Sequence, residues 1–234
     1  SEKFNKPTSA EIAYWGGYFF YHNRLHRNYQ DDISLHYYLL ASKDGITIGK
    51  RYFKHENNKE DYPFSPSGHN LYDNNSKLYY CRDFDNIVYQ IHEDSVVPRF
   101  RINLPNPLPA SMIEERPNEM SLLRSGYSLG ITDIYEYGGL LFFRFVKDGY
   151  IWSCLYNVEE SKQVYCAKRI KFLDSSLIDT IDGIYKDCFY SILTPEYLDY
   201  AFSENPLEDY PDLFKTYDVE GDNPVIAFYR AVVR

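Results

Sequence analysis

Four times along this chain of 234 residues an acidic or amide residue is followed within three positions by a tyrosine, then by an aromatic run. Glu11 and Tyr14 lead into Trp15 to Tyr21, and Asn70 and Tyr72 lead into Lys77 to Tyr80. Asp133 and Tyr135 lead into Gly138 to Phe143, and Asp182 and Tyr185 into Cys188 to Tyr190. The repeats start at 11, 70, 133 and 182, so the spacings are 59, 63 and 49. Self-similarity on this scale marks an array in which each unit buries its apolar face against the next. Blades of known propellers run about 40–50 residues, so these spacings require insertions.

Each repeat holds further strand signals at hairpin distance. Ser34 to Leu40 meets Ile46 to Phe53 across Ser42–Lys43–Asp44–Gly45, where Asp-Gly favours a tight turn. Asn86 to His92 follows the turn Asp83–Phe84–Asp85, and Val96 to Leu104 follows Glu93–Asp94. Leu140 to Val146 turns at Lys147–Asp148–Gly149 into Tyr150 to Tyr156, and Gln163 to Phe172 returns. Three or four short antiparallel strands per repeat make a propeller blade. The expectation is an all-β, β-propeller-like chain of about four blades, a single partial propeller over residues 1–234. Helical insertions are expected over Pro109 to Arg124, with Ser111 as N-cap and a break at Pro117. Others are expected over Pro195 to Phe202 behind Thr194, and over Tyr210 to Tyr217. Asn103 to Pro109, with three prolines, reads as an extended connector.

The composition agrees. Twenty-five Tyr and 15 Phe bring aromatics to 18%, and aromatic rings favour pleated, half-buried surfaces. They fit sheet faces wet on one side first, and also a carbohydrate- or peptide-binding face built of tyrosines. A net charge of −9 with no basic patch argues against nucleic acid as a partner. No apolar run approaches the ~18 residues that span a bilayer as a helix. Four cysteines without a C-x-x-C pair argue against a zinc site. Cys154 and Cys166 lie on two arms of one hairpin, where an oxidising compartment would allow a disulfide. The simpler expectation is four buried free thiols.

The channel-facing strand of each repeat carries Glu11, Asn70, Asp133 or Asp182. A ring of such oxygens could bind a cation or sugar hydroxyls, or these residues could simply close turns and strand ends. His69, beside Asn70, is a ligand-binding candidate because imidazole titrates near neutrality. A lone turn histidine is more often structural, and no serine-containing nucleophile elbow accompanies it. His22 and His26 sit four apart at a strand end, where that spacing does not align them. Asp73–Asn74–Asn75 and Asp83–Phe84–Asp85 lack the Gly and Glu of a calcium loop and read as turns. No dinucleotide, P-loop or nucleophile-elbow motif occurs.

The closing segment Glu220 to Arg230, with Asp222–Asn223–Pro224–Val225 ahead of an apolar strand, resembles the last strand of six-bladed β-propeller proteins of Bacteroides-type bacteria. Tyr62–Pro63–Phe64, Gly68 to Tyr72, and Asp85 to Ile91 resemble that family's middle blades. The resemblance implies a propeller at the cell envelope, often lipid-anchored, of which this chain is the C-terminal part. It implies no catalytic residues and no cofactor. A non-enzymatic binding or interaction module follows, taking a carbohydrate or protein ligand. The alternative is a hydrolase, lyase or lactonase with a metal held by the channel carboxylates. An open arc of blades also implies self-association or further N-terminal blades to close the ring.

Overall fold

A computed structural model describes residues 11–23, 37–55, 65–66, 68–115, 117–168, 170–172, 175–178, 181–204, 217–218, 221 and 223–230. The chain divides into two units, Ser1–Ile134 with Arg144–Tyr150, and Tyr135–Phe143 with Ile151–Arg234.

The first unit opens with a sheet of β1 (Ile12–Trp15), β2 (Tyr18–His22), β3 (Tyr37–Ser42) and β4 (Ile48–Lys54), paired in chain order. Gly16 and Gly17, with φ of +53° and +79°, make the β1–β2 turn, a left-handed pair that suits the twist of an antiparallel hairpin. The β3–β4 turn falls on the expected Asp-Gly, but the return strand starts at Ile48 rather than Ile46. The cause is Asp44, whose Oδ1 accepts from Ile46 N at 2.8 Å, Thr47 N at 2.6 Å and Ser42 Oγ at 2.8 Å. Those bonds hold Ile46 and Thr47 in the turn and keep the Asp44 carboxyl far below the usual range.

The second sheet, β5 (Leu71–Asp73), β6 (Leu78–Cys81), β7 (Ile87–Ile91) and β8 (Val96–Arg101), repeats the same order. Pro98 sits in β8, the edge strand, where a missing N–H is tolerated. Alternation gives each strand two faces. Tyr18, Phe20, Leu39 and Ala41 of the first sheet pack on Leu71, Leu78, Tyr80, Tyr89 and Ile91 of the second. The second sheet's other face, with Tyr72, Tyr79, Cys81 and Val88, is buried as well.

A connector leads to α1 (Ala110–Glu114) and α2 (Glu119–Leu123). The split near Pro117 is as expected, but the cap is not. Pro109 occupies the N-cap of α1, and Ser111 lies inside its first turn, where it cannot cap it. Asn118 caps α2 by accepting from Ser121 N at 2.9 Å.

The third sheet is formed by β9 (Ser128–Tyr137), β10 (Leu140–Lys147), β11 (Tyr150–Asn157) and β12 (Lys162–Ala167), and its strands contribute to both units. Asp148 and Gly149, with φ of +55° and +73°, form the expected β10–β11 turn. The run from Gln163 to Phe172 is not one strand. β12 ends at Ala167, and a separate hairpin of β13 (Ile170–Phe172) and β14 (Ser175–Ile178) follows.

The second unit closes with a three-stranded sheet, β15 (Gly183–Tyr185), β16 (Cys188–Leu193) and β17 (Val225–Tyr229). Between β16 and β17 lies α3 (Pro195–Glu204), with Thr194 Oγ1 accepting from Tyr197 N at 3.3 Å as the expected cap-and-Pro start. Leu198 and Ala201 of α3 pack on Leu193, Val225 and Ala227. The helix expected over 210–217 falls, apart from Tyr217, outside the described residues, as do His26, Tyr62 to Phe64 and Asp222.

The fold class is therefore all-β, built mostly of four-stranded antiparallel meanders with short helices between them. The cysteines need a correction. Cys154 and Cys166 are directly opposed in the β11–β12 register with Cα atoms 4.1 Å apart, and they form a disulfide rather than two free thiols. Cys81 is the buried free thiol expected, while Cys188 is free and only half-buried. No helix among the described residues is long and apolar enough to cross a membrane.

Candidate functional site

Three of the sequence candidates meet in the first unit. Glu11 enters β1, and its Oε2 accepts from the backbone N–H of Asn70 and, at 3.0 Å, from that of Leu71. The other oxygen, Oε1, lies 3.4 Å from His69 Nδ1. A carboxylate 59 positions earlier thus closes the start of β5 and carries an imidazole beside it. Burial pushes the Glu11 carboxyl up from its ordinary value; the two N–H groups and His69 pull it part of the way back. His69 itself is open to solvent, with its side chain 69% exposed.

Asn70 is buried and committed. Its Nδ2 donates to Cys81 O at 2.9 Å and Asp83 Oδ1 at 3.2 Å, and its carbonyl accepts from Cys81 N at 3.0 Å. Asp133, in β9, is buried against Arg144 of β10, whose Nε donates to Oδ2 at 2.7 Å. Burial raises the Asp133 carboxyl, Arg144 opposes the rise, and the charge of His69 adds a smaller opposing effect. Asp182 belongs to the second unit. Its Oδ2 accepts from Ile192 N at 2.6 Å and its N donates to Tyr190 O at 2.9 Å. Glu11, His69 and Asn70 thus lie in direct contact, and Asp133 is within electrostatic range of His69.

The tyrosines of the repeat have a role that sequence reasoning missed. Tyr72 OH donates to the backbone carbonyls of His69 and Thr132, the latter one residue before Asp133. Tyr135 OH donates to the carbonyl of Asp182 at 3.1 Å. Each tyrosine therefore ties its own repeat to the acid-bearing start of the next. The repeat pattern itself was the signal for these bonds. Tyr14 departs from it: it is 64% exposed, on the side of β1 opposite Ala13 and Trp15, and Glu11 makes the link to the second repeat instead. Nothing in the sequence marked Arg144.

The two acid-rich loops are turns. Phe84 has φ of +62°, while Asp85 pairs with Arg82 at 2.6 Å and accepts from Asn86 N and Ile87 N. Asn75 has φ of +60°, and the buried Asn74 donates to Tyr72 O and Ile134 O. His22 is buried, with Nδ1 3.1 Å from Tyr80 OH. Among the described residues no group of three or more His, Cys, Asp or Glu is placed to hold a metal ion.

Comparisons with known proteins extend this geometry. Residues 9–176 match the model of a domain family of unknown function described as a 6-bladed beta-propeller. The backbone is similar to the crystal structure of a candidate exported protein from Bacteroides fragilis, with a TM-score of 0.73 at 16% identity. The match covers 95% of this chain and 65% of that one. At this identity the likeness speaks to the fold alone. A search of curated proteins finds no match.

Proposed function

Because the chain belongs to the 6-bladed β-propeller family whose model spans residues 9–176, we propose that it is a non-catalytic binding module acting outside the cytoplasm. The ligand is a glycan or a peptide, held at the rim where His69 stands over Glu11. The observation that carries this reading is the contrast within the cluster. Glu11 Oε2, Asn70 and Asp133 are engaged in holding strands together, whereas the His69 side chain reaches solvent with Glu11 Oε1 beside it. Radial sheets hold their connecting loops rigidly, and loops so held are where propellers place recognition. Imidazole and carboxylate together offer a donor and an acceptor to a hydroxyl or an amide.

Two observations support an extracytoplasmic site of action. The similar crystal structure is that of a candidate exported protein. The Cys154–Cys166 disulfide suits an oxidising compartment. Attachment to the cell envelope through a lipid, as the C-terminal part of a longer propeller, is the finer form of this proposal; the chain spans 65% of the solved chain it matches.

The test is titration calorimetry against panels of glycans and peptides, with His69→Ala and Glu11→Gln beside the unaltered chain. The expected result is a ligand that binds the unaltered chain, binds His69→Ala at least tenfold more weakly, and is recovered unchanged. A ligand recovered cleaved, with cleavage abolished in both variants, would establish an enzyme instead. Equal binding by the unaltered chain and His69→Ala would move the site elsewhere.

A further inference from the structure

Arg82, just past the end of β6, lies among three aromatic rings. Its guanidinium carbon is 5.4 Å from the ring centre of Phe53, 5.8 Å from that of Tyr38 and 6.0 Å from that of Tyr89. Tyr38 and Phe53 come from the first sheet and Tyr89 from the second. Phe53 packs on Tyr89 with ring centres 4.5 Å apart and stacks on Tyr80 at 5.6 Å, and its φ is +58°. A bulky residue seldom adopts that left-handed conformation, and where it does the surroundings hold it there. Asp85 fixes the guanidinium along one edge. Its Oδ2 accepts from Nε at 3.0 Å and from Nη2 at 2.6 Å, while its Oδ1 accepts from the N–H groups of Asn86 and Ile87. The other edge, formed by Nη1 and the second N–H of Nη2, bonds no acceptor among the described residues. The side chain is 33% exposed, and Nη1 is not one of the buried atoms.

We propose that Arg82 anchors a second binding site, which takes a carboxylate group through paired hydrogen bonds to its Nη1–Nη2 edge. The argument rests on an ordered donor with an unengaged edge. A mobile surface arginine loses rotamer freedom when it grips a ligand. This one is already held by the rings and by Asp85, so little freedom remains to be lost. A planar fork with two parallel N–H groups matches the two oxygens of a carboxylate. Cation–π contact draws on the charge of the guanidinium and leaves those N–H groups to bond elsewhere. The local charges agree. Arg82 and Asp85 balance each other, and Arg101, opposite Ile87 in the β7–β8 register and within electrostatic range of Tyr89, adds a positive charge beside them. Asp83, the next residue along, is engaged elsewhere, accepting from Asn70 Nδ2 and Ser65 Oγ. An acidic glycan and an acidic peptide both carry the required group. The inference does not depend on a ligand at His69.

Titration calorimetry of the whole chain tests it with two acids and their neutral counterparts: trigalacturonate and its methyl ester, and end-blocked triglutamate and triglutamine. The expected result is that at least one acid binds, and that its neutral counterpart binds about tenfold more weakly or worse, the loss of a charge-assisted bond. Whichever acid binds identifies the source of the carboxylate. This comparison needs no substitution, so it stands even where a variant disturbs the fold. Arg82→Lys keeps the charge and removes the fork, and should weaken binding about tenfold. Asp85→Asn keeps an acceptor for Asn86 N and Ile87 N but withdraws the competing carboxylate, and should tighten binding by about threefold or more. An arginine with a purely structural role gives no such gain. His69→Ala should leave the affinity unchanged, which separates this site from the one at the rim. Failure of both acids to bind, equal binding of an acid and its neutral counterpart, unchanged binding in Arg82→Lys, no gain in Asp85→Asn, or loss of binding in His69→Ala would each overturn the proposal.

Discussion

The β5–β8 sheet and the β15–β17 sheet share a repeat and differ in their surroundings. In the former the strands β5 to β7 are largely buried on both faces, and Tyr79 and Tyr80, adjacent on β6, point to opposite sides with no exposure. In the latter one face is packed and the other carries half-exposed Tyr185, Ile192, Ile226 and Phe228. The residue types are nearly the same in the two places. Aromatic strand content therefore specifies a blade, while its neighbours decide whether a given ring is core or surface. Substitutions of matched residues in the two sheets should separate these roles.

The widest separation is between Tyr80 and Phe228. Removing a fully buried aromatic leaves a cavity and loses its transfer energy, so Tyr80→Ala should cost about 3–5 kcal/mol, read as a drop in the urea midpoint. Phe228→Ala should change stability by less than about 0.5 kcal/mol. Equal losses at the two positions would break the comparison.

The acids at the repeat starts form a second pair. Asp133→Ala leaves the partly buried Arg144 guanidinium without its buried carboxylate, and breaking such an ion pair should cost about 3 kcal/mol. Asp182→Ala removes the bond accepted from Ile192 N at an exposed position and should cost about 1 kcal/mol. Chemical denaturation of the two variants sharpens the comparison if the ratio holds.

Two glycines make a third pair, matched in distance. A Cβ at Gly130 would fall 2.7 Å from Phe84 Cα, and the residue's φ is +95°. Both the clash and the backbone conformation resist a side chain there, so Gly130→Ala should cost about 2–3 kcal/mol. A Cβ at Gly183 would also meet an atom at 2.7 Å, but that atom belongs to the ring of Tyr190 on the open face. The ring can swing into solvent, and Gly183→Ala should cost less than about 1 kcal/mol. A fourth pair is Tyr72→Phe against Tyr185→Phe in the 234-residue chain. The first should lose about 1 kcal/mol with its hydrogen bond and the second nothing.

The legible part of this fold followed from short-range chemistry. Asp-Gly at 44–45 and 148–149, the Pro117 break and the Thr194 cap all act within a few residues, and each lies where it was expected. What was hidden depends on partners far along the chain. Glu11 reaches Asn70 and Leu71, Tyr72 reaches Thr132, and Arg144 finds Asp133 from the neighbouring strand. The repeat identified Glu11, Asn70 and Asp133 as positions of interest because those positions start strands. It gave no sign that their polar atoms would be turned on other repeats. The Cys154–Cys166 bond was visible as an opposition across a hairpin, and the bridge itself required the register with a bulge at Leu155/Tyr156.

The last expected effect is defined by its sign and again divides buried acids from open ones. Burial raises both Glu11 and Asp133 above their ordinary values. For a carboxyl whose folded-state value exceeds its unfolded one, the stabilising contribution is complete below the unfolded value of about 4 and is lost as pH rises through the folded value. Through these two groups the chain should gain stability as pH falls from neutrality toward their unfolded values. Asp44 acts in the opposite sense: its lowered value gives stability that is present above about 4 and is lost as pH falls toward its folded value. Stability should therefore pass through a maximum in mild acid. Glu11→Gln should flatten the neutral side of that maximum, since an amide oxygen can still accept from Asn70 and Leu71 but no longer ionises. Asp44→Asn should flatten the acid side. His69→Ala should shift the neutral limb to higher pH, because the imidazole is one of the groups holding the Glu11 carboxyl down. Urea midpoints between pH 3 and pH 8 read all three, and a neutral limb unchanged in Glu11→Gln would remove Glu11 from the account.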